Sequence, residues 1–339
     1  MHRPQVTVLM SVFDAARTLS RAIESIRRQT HTDWELLVMD DGSSDTSPAL
    51  LQAMTASEPR LRVISRPHLG LVAALNTGLA EARGPFIARM DADDESHPER
   101  LREQVAFLTA HPQVGVVGTL VDFGGDRGRA AGYALHVDWL NAVVTPEDIA
   151  LNCFIESPLA NPSVMFRREL VAQFGGYLEG DFPEDYELWL RWLEGGVEMA
   201  KVPRVLLTWN DPAGRLSRTD ARYDVEAFYR CKAPYLARRL LRGVAPSRRI
   251  LVWGAGRPTR KRAEHLTAYG VTLSGYIDID PRKAGRRLGG RPVITPEQLP
   301  PANEAFVLGY VAKRGARELA RAHLHERGYV EGRDFLMAA

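Results

Sequence analysis

Residues 86–94 read Phe86-Ile87-Ala88-Arg89-Met90-Asp91-Ala92-Asp93-Asp94, an apolar run with strand character that ends in three carboxylates within four residues. Like charges that close repel unless a cation sits among them. On extended backbone, Asp91 and Asp93 leave the same face. Oxygen-only ligands at a strand end suit Mg2+ or Mn2+, ions that share their coordination with substrate phosphates. Taken alone, the same residues also read as an acidic turn opening a helix, with Asp94 or Ser96 as its cap. The surrounding elements decide between the two.

Upstream, Gln5 to Val12 is a continuous, β-branched-rich run, the pattern of a buried parallel strand. A helix from Leu19 to Gln29 follows, with Leu19, Ile23 and Ile26 on one face. A second strand, Glu35 to Met39, closes in Asp40-Asp41-Gly42-Ser43-Ser44-Asp45. Helix 47–56, strand 61–65 and helix 71–82 lead into the carboxylate strand. This alternation predicts a parallel α/β sheet, whose ligands sit beyond the carboxyl ends of its strands. Both acidic loops, 40–45 and 91–94, fall at that edge. An Asp cap with a glycine turn accounts for Gly42 but not for two adjacent acids.

Helix 98–110 and a strand near 114–118 come next, and then the pattern loosens. Residues 122–148 show no sustained period and read as an acceptor loop or a small excursion. Asn161 to Phe166 reads as a strand, Arg168 to Phe174 as a helix, and Gly175-Gly176 as a turn. Glu184 and Asp185 stand at the start of an apolar-aromatic helix, where a carboxylate is favoured and capping is the simplest role. Trp189 and Trp192 read as core. Segment 201–217 reads as a strand running into a polar loop.

The order of these motifs resembles the inverting glycosyltransferases of family 2, with the GT-A fold, over residues 5–217. The carrying stretches are VTVLMSVFDAARTLSRAIESIRRQT, DWELLVMDDGSSD, LVAALNTGLAEARGPFIARMDADD, NPSVMF and PEDYELWLRW. The resemblance implies a nucleotide-sugar donor, a divalent metal (Mg2+ or Mn2+) and transfer of a sugar to an acceptor hydroxyl of a glycan or lipid-linked molecule. By position, Ser11 and Phe13 would line the nucleoside pocket and Asp41 would bond the base. Asp91 and Asp93 would reach ribose and metal, with Asp94 a second ligand, and Asp185 would be the general base. Asn76 and Arg89 also lie in motif segments. Two departures are Asp14, where many relatives carry Asn, and Trp209-Asn210-Asp211, where many place a His. A hydrolase fits less well, since its carboxyls flank a bond whereas these acids cluster at metal-ligand spacing.

Residues 218–247 are polar and helical, a connector ahead of a smaller Rossmann-like α/β domain at 248–339. Strand Arg249–Trp253 leads into Gly254-Ala255-Gly256-Arg257-Pro258-Thr259, a dinucleotide fingerprint with Thr259 where a third glycine would stand. Asp278, at the end of the next strand, lies where a ribose-binding acid would. Gly254, Gly256 and Asp278 are therefore candidates for a nucleotide loop, beside a purely structural or docking role. The fold class is thus a mainly parallel GT-A α/β sheet followed by this second domain. Two alternatives remain open: an oxidoreductase or epimerase centred on Gly254, and a non-catalytic nucleotide-sugar sensor.

The bulk properties set outer limits. At 339 residues, 45% hydrophobic and 25% charged, the chain has room for two cores. A net charge of +2 gives no reason to expect a nucleic-acid partner. Arg238, Arg239, Arg242, Arg248 and Arg249 cluster as a solvated linker, or as a peripheral contact with anionic lipid. Two cysteines suit a reducing compartment. No signal peptide or membrane-length apolar run is present, so the expected location is the cytoplasm, including the inner membrane face.

Overall fold

The first strand forms where the sequence is most continuously apolar. In the computed structural model, which describes residues 3–212, 214–313 and 315–339, β1 (Val6–Val12) is buried along nearly its whole length. Then come α1 (Leu19–Arg27), β2 (Trp34–Asp40), α2 (Ser47–Ser57), β3 (Leu61–Ser65), α3 (Leu71–Glu81) and β4 (Phe86–Asp91). They are followed by β5 (Glu95–Ser96), α4 (Arg100–Ala110), β6 (Val114–Phe123), α5 (Ala131–Ala142), α6 (Pro146–Asn152), β7 (Met165–Arg167) and α7 (Glu169–Phe174). Next are α8 (Glu184–Glu194), β8 (Glu198–Trp209), α9 (Leu216–Thr219) and α10 (Val225–Gly243). The remainder comprises β9 (Arg249–Trp253), α11 (Arg257–Glu264), β10 (Leu273–Ile277), β11 (Arg287–Leu288), β12 (Arg291–Ile294), β13 (Ala305–Gly309), α12 (Ala316–Glu326) and β14 (Phe335–Met337).

The chain divides into two units. The first holds the residues up to 149 with 158–180 and 187–219, and the second holds 150–157, 181–186 and 220–339. In the first unit, eight strands run in the order β3-β2-β1-β4-β7-β6-β8-β5. Strands β1 to β4 are mutually parallel, with Val12 opposite Asp40 and Ser11 opposite Asp91. The chain winds outward from β1 through β2 to β3, then returns to place β4 on the other side of β1. The β1–β4 seam is therefore a topological switch point, where open α/β sheets bind ligands. Strand β7 is antiparallel to both neighbours. Helix α1 closes one face through Leu19, Ala22, Ile23 and Ile26, all fully buried. Trp189 and Trp192 are fully buried too and belong to the core cluster that contains Leu75 and Phe166.

Two local expectations change. Residues 122–148 are mostly ordered: β6 runs on to Phe123, and α5 buries Ala134, Val137 and Leu140. The Asn141 amide pins that helix to the sheet by bonding both the N–H and the carbonyl of Val121. Residues 161–163 form a 3-10 turn rather than strand, since Pro162 has no N–H to give a ladder, and pairing begins only at Met165.

In the second unit six strands run β11-β12-β10-β9-β13-β14, parallel except for the β11–β12 pair. Leu251, Val252, Tyr276, Ile277, Val307, Leu308, Phe335 and Leu336 are buried along these strands. Lys232 on α10 is also buried, its Nζ donating to the carbonyls of Phe154 at 2.8 Å and Ala338 at 2.7 Å. Cys153 and Cys231 are both buried and are not joined in a disulfide. No helix among the described residues is long and apolar enough to cross a membrane.

Candidate active site

Strand β4 delivers its acids to the switch point because Phe86 to Met90, Arg89 included, are buried, leaving the chain to turn at the sheet edge. Asp91, Asp93 and Asp94 each offer a carboxylate oxygen, and these atoms lie within 4.8 Å of one another. The three differ in what holds them. Asp91 Oδ1 accepts from the Arg89 guanidinium at 2.6 Å, and that guanidinium is itself 2% exposed. Asp94 is buried; its Oδ1 accepts the Asn210 N–H at 2.8 Å, while Oδ2 is buried with no hydrogen-bond partner. The Asn210 amide donates to the Asp93 carbonyl at 2.8 Å and so holds the turn to the end of β8.

Burial first, and the Asp91 charge second, push the Asp93 carboxyl from 3.8 up to about 6. Burial and the charges of Asp91 and Asp93 likewise hold Asp94 well above the usual carboxylate range. The positive charge of Arg215 acts in the opposite direction on both. Its guanidinium lies 4.2 Å from the Trp209 ring centre and 4.8 Å from that of Tyr133. Beneath the strand, fully buried Arg100 donates to the carbonyls of Arg89 at 2.7 Å and Val164 at 3.2 Å.

These residues fit a hard divalent cation. The donor set is all oxygen, and a buried carboxylate oxygen without a partner carries a desolvation cost that a cation would offset. Two oxygens on opposite sides of an Mg2+ ion stand about 4.2 Å apart. The observed 4.8 Å spread is thus within a small side-chain adjustment of a coordinating arrangement.

Around the carboxyl ends of β1 and β2 lie the other N-terminal candidates. Ser11 is half-buried in register with Asp91. Phe13 is 49% exposed and stacks on His68, ring centres 4.1 Å apart. Asp41 is buried and accepts the N–H groups of Leu69 at 3.1 Å and Gly70 at 2.8 Å. Asp14 takes a left-handed conformation, φ 49°. Its carboxylate accepts from the N–H groups of Ser44 at 2.7 Å and Asp45 at 3.1 Å. An amide side chain tolerates the same backbone and offers the same kind of acceptor, so either Asp or Asn serves at this position. Asn76 brackets the backbone N–H and carbonyl of Tyr177, which is a structural task.

In the second unit, Asp185 occupies the first turn of α8, half-buried, with Oδ1 accepting the Tyr186 N–H at 2.7 Å. Its neighbour Glu184 is buried and accepts from the Tyr223 hydroxyl at 2.5 Å. Burial, followed by the charges of Glu184 and Asp185, raises the Tyr223 phenol far above its ordinary value, so it stays a donor. Gly254 (φ 110°) makes the turn after β9, and Gly256 caps α11. The Asp278 carboxylate turns under that loop. It accepts from the N–H groups of Ala255 and Asp280, both at 2.9 Å, and pairs with Lys283 at 2.9 Å.

His68, Arg100 and Arg215 escape a sequence reading. The sole local hint for His68 is a Pro-His-Leu-Gly turn between strand and helix.

The family model for glycosyl transferase family 2 matches residues 7–175. The putative glycosyltransferase EpsE of Bacillus subtilis is 31% identical over 264 residues, covering 72% of this chain and 91% of that one. The amylovoran biosynthesis glycosyltransferase AmsE of Erwinia amylovora is 30% identical over 204 residues, 59% of this chain and 74% of that one. Among solved structures, S. aureus TarS 1-349 in complex with UDP-GlcNAc has a TM-score of 0.56 at 17% identity, covering 78% of this chain and 71% of that one. The Pyrobaculum calidifontis mannosyltransferase PcManGT, in complex with GDP-Man and Mn2+, has a TM-score of 0.50 at 23% identity, covering 79% and 70%. These two likenesses concern the fold, a mixed α/β sheet consistent with GT-A. The sequence relatives, EpsE above all, carry the assignment: the chain belongs to glycosyl transferase family 2.

Proposed function

We propose that this family member is a metal-dependent, inverting transferase that moves a sugar from a nucleotide-diphospho-sugar to an acceptor hydroxyl, in polysaccharide or glycolipid synthesis. The observation that carries the reading is the acidic triad at the β1–β4 switch point, with one buried carboxylate oxygen left without a partner. The role named for AmsE supports the pathway, and the ligands of the two solved neighbours support the donor class.

In this reading Asp93 and Asp94, with Asp91, hold Mg2+ or Mn2+, and the nucleoside lies over Ser11 and Phe13 beside Asp41. The bound ion would supply Lewis-acid neutralisation of the departing diphosphate. Arg215 adds fixed positive charge at the same place. Asp185 takes the proton of the acceptor hydroxyl as its oxygen attacks the anomeric carbon. The bond from that carbon to the diphosphate oxygen breaks on the opposite face. One base and no covalent intermediate give inversion. Residues 1–217 form the transferase domain, 218–247 the connector and 248–339 a Rossmann-like domain with a structural or docking role. The engagement of Asp278 by Ala255 and Lys283 speaks against dinucleotide chemistry there. The site of action is the cytoplasm or the inner membrane face.

The test is Asp185→Asn, assayed for transfer and, separately, for donor binding by calorimetry with Mn2+. Loss of a general base lowers transfer by about 100-fold or more, while donor affinity stays within about twofold. Transfer at a near-normal rate would remove Asp185 from the mechanism.

A further inference from the structure

Tyr223 stands beyond residues 7–175, the stretch that the family model matches. Its hydroxyl nevertheless donates to Oε2 of Glu184, 39 residues earlier in the chain, at 2.5 Å. A 3-10 turn, Ala221–Tyr223, presents it, and Asp220 fixes that turn. The Asp220 carboxylate accepts the Arg222 N–H at 2.9 Å and pairs with the Arg222 guanidinium at 2.7 Å. Glu184 is only 3% exposed. A carboxylate so buried is costly unless donors meet it. The phenol is always able to donate, because burial and the charges of Glu184 and Asp185 keep it protonated.

Asp185, half-buried, sits between two anchored neighbours. On one side Tyr223 ties down Glu184. On the other, the fully buried Tyr186 packs its ring against Phe228 of α10, centres 5.3 Å apart, and its hydroxyl donates to the Cys153 carbonyl at 2.7 Å. Asp185 Oδ1 accepts the Tyr186 N–H at 2.7 Å, so the carboxylate follows the backbone of that turn. Its direction is therefore set in part by Tyr223 and Phe228, and not by α8 alone. A general base works only within hydrogen-bond reach of the proton it removes, and a misplacement of about 1 Å costs about 100-fold in rate.

We infer that Tyr223 is a positioning residue for the general base: through its bond to Glu184 it holds the first turn of α8, so that Asp185 meets the acceptor hydroxyl. The inference rests on the inverting-transferase reading above, and it gives the connector at 218–247 a part in the reaction. Without the phenol oxygen, the buried Glu184 carboxylate loses a charge-assisted hydrogen bond and turns to find another donor. The turn shifts with it, and Asp185 moves off its line to the acceptor. Donor binding depends on the acids that end β4 and is left as it was.

The experiment measures release of nucleoside diphosphate by the full chain, with Mn2+ present and water as the acceptor. The donors are UDP-glucose, UDP-galactose, UDP-N-acetylglucosamine, GDP-mannose and dTDP-rhamnose. Water loses its proton to the same base, so the assay requires no glycan. Tyr223→Phe keeps the ring and should lower kcat about tenfold, less than a full misplacement because Tyr186 still holds its side of the turn. KM for the donor should stay within about twofold. Glu184→Ala cuts the same tie from the other end, and adding Tyr223→Phe to it should cost almost nothing more, the mark of two residues acting as one. Losses that multiply in the double variant, to about 100-fold, mean that Tyr223 acts elsewhere and overturn the inference. An unchanged kcat in Tyr223→Phe, or a rise in KM alone, overturns it as well. Asp185→Asn separates this inference from the reading beneath it. If that variant loses release while Tyr223→Phe keeps it, the inference alone falls; if it releases diphosphate at the wild-type rate, the base assignment falls first. Release from none of these donors by wild type overturns the nucleotide-sugar reading, and the inference with it.

Discussion

Asp93→Asn is expected to stabilise the metal-free protein while damaging its function. The native fold holds the Asp93 carboxyl at about 6 against an ordinary 3.8, which corresponds to roughly 3 kcal/mol of unfavourable charge once the group is ionised. The direction follows from proton linkage. Below pH 3.8 the group is protonated in folded and unfolded chains alike, and its contribution is nil. Between 3.8 and about 6 the folded chain binds more protons, so stability falls as pH rises. Above about 6 the full penalty applies. In a chelating buffer at pH 7.5, Asp93→Asn should therefore be more stable than wild type by up to about 3 kcal/mol. The difference should shrink towards zero near pH 4. Mn2+ at about 1,000 times its Kd should reverse the order, since it then adds about 4.1 kcal/mol to the form that binds it. Chemical denaturation of both proteins at the two pH values, with and without Mn2+, reads all of this. A variant less stable than wild type at pH 7.5 in chelator would refute the charge argument, because the triad would then be held by compensating partners.

Two further outcomes follow from single residues. Asp14→Asn should be close to neutral in stability, whereas Asp14→Ala loses the acceptor for the Ser44 and Asp45 N–H groups and should cost about 1–2 kcal/mol by thermal denaturation. Lys232, pushed down from 10.5 to about 7 mainly by burial, is charged in the unfolded chain and neutral in the folded one between those values. Stability should rise with pH over that window, and Lys232→Met should flatten the slope in denaturation curves taken at pH 7 and 9.

Much of the fold is legible because buried parallel strands are written as predominantly apolar runs. Val6 to Val12, Trp34 to Asp40 and Phe86 to Asp91 each show this, and their order places two acidic loops at one edge. Helix α5 is harder to read. Its buried Ala134, Val137 and Leu140 are spaced three apart among Tyr133, His136 and Trp139, whose rings contact one another or Trp209. The acids at 91–94 announce themselves through their number. Their supports do not. Arg100 looks like an ordinary charge at the start of a helix, yet it turns beneath β4 and is wholly buried. His68 is linked to Asp41 across 27 residues of sequence, and only the folded loop brings the two rings of Phe13 and His68 together.

The central claim is that the three acids grip a cation together with the diphosphate it accompanies. Electron paramagnetic resonance of free Mn2+ tests it most directly, because the signal of the free ion falls as the protein takes it up. Wild type should bind one equivalent, more tightly with uridine or guanosine diphosphate present, and Asp93→Asn combined with Asp94→Asn should bind none under the same conditions. Equal uptake by the two proteins, or no uptake by wild type with either nucleotide, would contradict the account.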